Sequence, residues 1–359
     1  MVIMTMMTTM TTTTKNMMTT KQLAGSEPGM WEWLQHKFKA MNTDIHLSVI
    51  APDPRPLIRT VEESFIYFEQ LLSRFRPDSE LSQLNKNQGL IFPASYDFFA
   101  AVEAALWAAQ QTSGIYDPTI LGYLETAGYD CTFGALPNPK PLFRDSISVE
   151  DSPASITGFG EELTGLDYRH IDLDSFTQTI LLPSGLRLDL GGMGKGWTVD
   201  RVADLLCDKG HFLLNAGGDI YAYGSPNQEG GWDVHLAHPL MPDLDYASLK
   251  VDHHAVTTST VTRRRWLKNG IIQHHLIDPR TGLPALSDVI AASVIAGRTF
   301  TAEIFAKAAL ILGVEEGLAY LESLPEVEGV LFSNKNEIIC TSQIDRFLYR
   351  MEPSGYLSD

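Results

Sequence analysis

The chain has 359 residues, 44% of them hydrophobic and 20% charged, enough for a real core in one large domain or two small ones. Its formal net charge of -17 would repel a nucleic-acid backbone and an anionic membrane surface, so neither is an expected partner; a phosphate-bearing ligand needs local donors or a metal to override that field. The 3 cysteines, Cys131, Cys207 and Cys340, form no Cys-x-x-Cys pair, which fits free thiols in a reducing compartment and argues against a disulfide framework or a zinc site.

Residues 1–28 are rich in Met and Thr and read as a disordered tail, without the basic start and small-residue cleavage site of a signal peptide. Met30 is a candidate true start of a domain spanning 29–359. No run approaches the roughly 20 apolar residues that span a bilayer, so no transmembrane segment is expected and a cytoplasmic location is. Residues 37–50 alternate toward their end and read as one strand. Leu57, Val61, Phe65, Phe68, Leu72 and Phe75 then mark a helix face, with Pro56 near its start, and Phe99, Val102, Leu106 and Ala109 mark a second helix over Tyr96–Gln111. A loop-rich insertion occupies about 129–165. Strand-like runs follow at Thr179–Pro183, Leu186–Leu190, Phe212–Leu214, Trp232–Leu236, Ala255–Ser259, Ile271–Ile277 and Ala291–Ile295, interrupted by helices at about 197–208 and 301–312. Helices mixed irregularly with antiparallel-looking strands predict an α+β fold.

The densest chemical signal is the run from Leu188 to Asp200, in which Gly191, Gly192, Gly194 and Gly196 lead into a helix beside Lys195. Free N–H groups at a helix start with a cation alongside make an anion site. The spacing is neither that of a P-loop nor that of a dinucleotide-binding Rossmann turn, and a plain tight turn is the competing reading. Asn215-Ala-Gly-Gly-Asp219 and Asp278-Pro-Arg-Thr-Gly282 read as further turns, the second of type I. Neighbouring histidines on a strand point to opposite faces, so neither His253-His254 nor His274-His275 suits one zinc ion.

These segments, with Leu72–Asn85, Tyr116-Asp-Pro-Thr119, Trp232 and Thr258-Ser259, resemble in order and spacing the FAD:protein FMN transferases, the ApbE family, over roughly residues 37 to 335. The resemblance implies an α+β fold of antiparallel sheets flanked by helices (ApbE-like, T-fold-like). It implies FAD in a cleft, a divalent metal, usually Mg2+, at the pyrophosphate, and attack by a Thr or Ser hydroxyl of a target protein on the FMN-side phosphorus, with AMP leaving. A non-catalytic FAD-binding protein and a FAD pyrophosphatase are the alternatives. The implied FAD contacts are Met41, Asp117, Asp189, Gly192, Lys195, Gly196, Asn215, Gly217, Gly218, Asp219, Thr258, Ser259, His275, Asp278 and Thr281. His275 is the candidate base, against a purely structural role, and Lys195 the candidate charge neutraliser.

The departures are informative. The family's Ala-Asp-x-x-Ala-Thr, associated with the metal, is here Ala302-Glu-Ile-Phe-Ala-Lys307. Either Glu303 still reaches the metal, together with Gly194, while Lys307 contacts a phosphate, or the Lys307 ammonium stands where the metal would be. The first is the expectation, because carboxylate oxygen remains available to a hard ion. Asn42 and Thr260 each replace a family glycine, and Asn tolerates unusual backbone angles. The run Arg263-Arg264-Arg265 after Thr260 is expected to be a solvated strand edge rather than a phosphate-receiving surface.

Overall fold

The computed structural model describes residues 31–136, 165–227 and 230–351. The expected tail and most of the expected insertion lie outside them; the insertion's described start, residues 129–136, holds a 3-10 turn at Phe133–Ala135.

The chain opens on strands β1 (Glu32–Ala40) and β2 (Thr43–Ala51), then helices α1 (Pro54–Leu72) and α2 (Glu80–Lys86), strand β3 (Ile91–Pro93), and helices α3 (Tyr96–Gln111) and α4 (Leu121–Thr126). Two short strands, β4 (Asp172–Asp174) and β5 (Thr179–Leu181), precede α5 (Gly194–Leu206). A long β region follows: β6 (His211–Ala216), β7 (Asp219–Tyr223), β8 (Trp232–Ala237), β9 (Asp245–Val251), β10 (His254–Thr260), β11 (Arg265–Lys268), β12 (Ile271–His274), β13 (Ile277–Asp278), β14 (Leu283–Pro284) and β15 (Val289–Ala296). Helices α6 (Thr299–Leu312) and α7 (Val314–Glu322) and strands β16 (Glu328–Ser333), β17 (Ile338–Cys340) and β18 (Leu348–Met351) end it.

Eight strands form the central sheet in the order β1-β2-β6-β7-β10-β15-β16-β17, every neighbour antiparallel. Because side chains alternate across a strand, the central strands of this sheet serve two cores. Leu214, Ala255, Ala292 and Val294 face a layer made by α1, α5 and α6. Val256, Ala291, Ile295 and Val330 face a second, three-stranded sheet, β18-β9-β8. The expected α+β class with antiparallel sheets is what the chain adopts. Among the described residues no helix is long and apolar enough to cross a membrane.

The two long early helices form where the apolar spacing places them. Val61, Phe65, Phe68 and Leu72 of α1 are buried, and proline occupies its first turn, where no intrahelical donor is lost. Ser95 starts α3 by accepting a hydrogen bond from the Phe98 amide at 3.3 Å. Three strand expectations need correction. The run 37–50 is two strands, broken at Met41 and Asn42, whose φ values of 50° and 57° make a two-residue hairpin turn. Leu186–Leu190 is not in a sheet: the Leu188 amide goes to the Asn85 side chain at 2.8 Å and the Asp189 amide to the Pro118 carbonyl at 2.8 Å. The run Ile271–Ile277 is interrupted at His275, between β12 and β13.

Candidate active site

Two tight hairpins meet at one end of the central sheet. Gly217 and Gly218, with φ of 65° and 102°, turn β6 into β7 as Met41 and Asn42 turn β1 into β2; both central residues of each turn have positive φ, the geometry that matches strand twist. Asn42, which stands where a glycine was expected, adopts this conformation. Pairing of β2 with β6 sets the turns side by side, and the Gly217 amide donates to the Asp44 carbonyl at 3.1 Å. Asn215 caps its own turn by accepting from the Gly218 amide at 2.8 Å. Asp219, first in β7, is thereby delivered to the first turn of α5.

Helices α5 and α6 cap one another. The Asp200 carboxylate of α5 accepts from the Thr299 and Phe300 amides at the start of α6, at 2.8 and 3.0 Å. The Glu303 carboxylate of α6 accepts from the Gly196 amide in the first turn of α5 at 2.9 Å. Each helix therefore supplies the anion that the other's N-terminus favours. So close a crossing requires Gly196: a Cβ there would lie 2.8 Å from Glu303 Oε2 and 2.9 Å from the Thr299 carbonyl oxygen. Gly196 is thus a packing residue whose amide is already used, which corrects its expected role as a phosphate donor.

Lys195 and Lys307 meet on the same carboxylate. Glu303 Oε1 accepts from Lys195 Nζ at 2.7 Å and from Lys307 Nζ at 3.0 Å. Lys195 Nζ also reaches Asp219 Oδ2 at 2.5 Å. Glu303 is 1% exposed, Asp219 6%, Lys307 12% and Lys195 15%, so four charges balance in a buried cluster. Burial opposes the charge on Glu303, but the ammoniums of Lys195 and Lys307 hold its pKa down to about 2. Burial likewise opposes the Lys195 charge, and the carboxylates of Asp219 and Glu303 outweigh it, raising that pKa. Burial, then Glu303, pushes Asp219 up, while burial pulls Lys307 down. Lys195, expected to neutralise phosphate charge, is committed to two carboxylates beneath the glycine bend.

A cleft opens above this cluster. Gly191, Gly192 and Lys307 form its floor over the cluster, and Tyr116, Asp117, Asp189, Arg264 and His275 also line it. Asp189 fixes the bend twice: its Oδ1 accepts from the Gly191 amide at 2.7 Å, and its Oδ2 lies 2.5 Å from Arg74 Nε. The Arg74 guanidinium sits 4.0 and 4.9 Å from the ring centroids of Phe75 and Tyr129, which fixes it in turn. Thr119 donates its amide and hydroxyl to Asp117 at 2.8 and 2.7 Å, while burial raises the pKa of that carboxyl. Among the described residues the Tyr116 hydroxyl and His275 Nδ1 are buried without a partner. Burial, then the positive charge of Arg264, holds the His275 pKa well below its ordinary value, and Lys307 adds to this. His275 is therefore a neutral imidazole with a free ring nitrogen at the cleft.

Of the expected site residues, the cleft gathers Asp117, Asp189, Gly192, His275 and Lys307. Lys195, Gly196, Asp219 and Glu303 lie beneath it. Met41 and Gly194 pack together behind them, with the Met41 methyl 3.7 Å from where a Gly194 Cβ would stand. Thr258 belongs to the opposite face of the sheet: its hydroxyl bonds Ser293 Oγ at 2.8 Å, which in turn reaches the Tyr246 hydroxyl at 3.2 Å. Its neighbour Ser259 alternates to the helix face. Asn215, Gly217 and Gly218 make the hairpin turn. Asp278 accepts from its own turn at Arg280, and Thr281 is exposed. These residues shape loops rather than line the cleft. Arg264 corrects the reading of the basic run: Arg263 is exposed, but Arg264 faces the cleft and has no hydrogen bond or ion pair among the described residues. Arg74 and Tyr116 join the cleft although the sequence marks only their segments; no spacing rule marks a cation that orients a carboxylate so far along the chain.

The sequence matches the ApbE family over residues 41–331. It is 29% identical over 309 residues to the FAD:protein FMN transferase of Treponema pallidum (strain Nichols), covering 80% of each chain. It is 30% identical over 192 residues to a FAD:protein FMN transferase of Klebsiella pneumoniae (strain 342), covering 52% of this chain and 58% of that one. The fold is similar to the crystal structure of the ApbE protein of Thermotoga maritima, with a TM-score of 0.76 and 21% identity, over 89% of this chain and 100% of that one.

Proposed function

This chain belongs to the ApbE family, and on that premise we propose that it is a FAD:protein FMN transferase, moving FMN from FAD to a Thr or Ser hydroxyl of a target protein and releasing AMP. The observation that carries the reading is the cleft itself: two cations, Lys307 and Arg264, line it together with the glycine bend, beside a neutral histidine whose buried Nδ1, like the buried Tyr116 hydroxyl, has no partner among the described residues. Buried polar groups without partners are costly, so a site that keeps them is shaped for a ligand that supplies them.

The reaction forms a bond between the target oxygen and the FMN-side phosphorus. The bond from that phosphorus to the bridging oxygen breaks, and AMP leaves with that oxygen. The hydroxyl proton passes to a base. Negative charge on the diphosphate resists the nucleophile and grows on the leaving phosphate, so cations aimed at both phosphates lower the barrier. Lys307 and Arg264 fill that role. His275 takes the proton. Its basicity is lowered first by burial and then by the charges of Arg264 and Lys307. The diphosphate offsets those cations when it binds, which raises the basicity of the imidazole as the nucleophile arrives.

A divalent ion, implied by the family, would need free carboxylate oxygens at Glu303 and Asp219. Glu303 Oε1 already accepts from two ammoniums and its Oε2 from the Gly196 amide, and Asp219 is paired with Lys195. Among the described residues no three His, Cys, Asp or Glu side chains gather as a metal site. The donor set does not fit a divalent cation.

The test is incubation with FAD and a candidate target, followed by mass spectrometry. A target heavier by one FMN, with one AMP released per target, is the expected result. FMN and AMP without a modified target would assign hydrolysis instead, and unchanged bound FAD a binding protein.

A further inference from the structure

We propose that the Lys307 ammonium, assisted by Arg264, is a built-in replacement for a divalent cation, so that this enzyme binds and processes the FAD diphosphate without magnesium. The inference rests on the proposed FAD chemistry and deepens it.

Three observations support it. First, Lys307 is held by a single hydrogen bond, to Glu303 Oε1 at 3.0 Å, and has no other partner among the described residues. An ammonium has three donors, so two N–H groups remain, on a side chain that lines the cleft floor against Gly192. Second, Glu303 cannot exchange these partners for a metal without stranding them. Releasing Oε1 would leave Lys307 buried without its counter-ion and would strip Lys195 of one of its two carboxylates. A divalent ion inserted beside both ammoniums would also meet repulsion that the low-dielectric interior magnifies. Third, the charge count closes. Lys195, Lys307, Asp219 and Glu303 sum to zero before any ligand arrives, and Arg74 cancels Asp189. Lys307 therefore brings the diphosphate directed N–H donors rather than net charge, and Arg264 brings the uncompensated positive charge at the cleft. Glu303 then acts as a positioning residue, aiming the ammonium rather than coordinating a metal.

The arrangement also explains why positions 303 and 307 depart from the family pattern together. A lysine four residues after an acid on one helix face reaches that acid's carboxylate. The extra methylene of Glu over Asp lets the carboxylate touch the Gly196 amide and both ammoniums at once.

The experiment is FAD titration by calorimetry on the full chain, once with EDTA and once with excess magnesium, with Mn2+ paramagnetic resonance on the FAD complex. The expected result is a Kd that differs by less than about threefold between the two titrations, with no stoichiometric bound Mn2+. In Lys307→Met, a near-isosteric change that leaves Glu303 paired with Lys195, FAD affinity should fall roughly 10- to 100-fold, the usual worth of a charge-assisted hydrogen bond. FAD binding only with magnesium, or one Mn2+ held per complex, or an unaltered Kd in Lys307→Met, would overturn the inference and leave the FAD reading standing. No FAD binding in either titration would overturn both.

Discussion

The same strands build both faces of the central sheet, yet the faces have opposite chemistry. On the helix side, β7 and β10 present Asp219, Thr257 and Ser259 to α5 and α6, where four buried charges balance. On the other side, Ile220 and Val256 join an apolar core with β8 and β9, and a chain of hydroxyls, Thr258–Ser293–Tyr246, satisfies itself. The contrast teaches that a strand motif divides: alternate residues of one signature go to the site and the rest to a second core. It also teaches that the site's stability is electrostatic and pairwise, while that of the far face comes from packing.

The sharpest way to break this contrast is to remove one charge. Lys195→Met strands Asp219 and leaves Glu303 with one ammonium; a loss of about 3–5 kcal/mol in urea unfolding is expected. On the far face Ile295→Val should cost about 0.5–1.5 kcal/mol. Equal costs would show that the buried cluster is no more than ordinary packing.

A pH series sharpens the same point at the edge of the cleft. Burial, with Arg265 adding to it, pushes the pKa of His274 down from 6.5 to about 4. Its neutral ring is satisfied on both nitrogens, with Nε2 3.2 Å from the Ala285 carbonyl and Nδ1 accepting from the Leu276 amide at 3.3 Å; a second ring proton would face that amide. The unfolded chain takes up the proton below 6.5 and the folded chain only near 4. Stability present at neutral pH is therefore lost as pH falls through this window, by on the order of 3 kcal/mol. Urea midpoints between pH 7 and 4 should fall in the wild type and fall less steeply in His274→Gln, where His275 still contributes a slope of the same sign.

Gly196→Ala comes next. The added methyl would lie 2.8–3.0 Å from Glu303 Oε2, the Thr299 carbonyl and Phe300 Cα, two of them backbone atoms, so α5 and α6 must separate. The expected cost is about 1–3 kcal/mol, with weakened FAD binding because Lys307 moves with Glu303. The smallest effect belongs to the far face: Thr258→Val should cost about 1 kcal/mol and leave FAD affinity unchanged in calorimetry. A large loss of affinity would place Thr258 in the site and undo the division of faces.

Much of this was legible in the chain. Helices α1, α3, α5 and α6 follow apolar spacing, and the glycine bend and the Glu303/Lys307 pair stand out in the sequence. What could not be read is which partner a polar residue chooses. Lys195 beside a glycine turn looks the same whether it awaits phosphate or pairs with Asp219 and Glu303, since the latter carboxylate lies 108 residues further along the chain. Leu186–Leu190 has strand composition, yet its backbone bonds to Asn85 and Pro118 instead of a neighbouring strand. Asp200 and Glu303 look like ordinary helix-surface acids until the crossing makes each a cap for the other helix.

The pairing of β2 with β6 carries a consequence for how the chain matures. His46 lies opposite Asn215, so the N-terminal hairpin waits for most of the protein to be synthesised before its sheet neighbour exists. Until then Ile45, Leu47 and Val49, all essentially inaccessible in the finished fold, lack the strand beside which they are covered. Closing so long a loop makes the step slow, and a nascent chain paused before residue 211 should remain protease-sensitive through its first hairpin and bind holdase chaperones there.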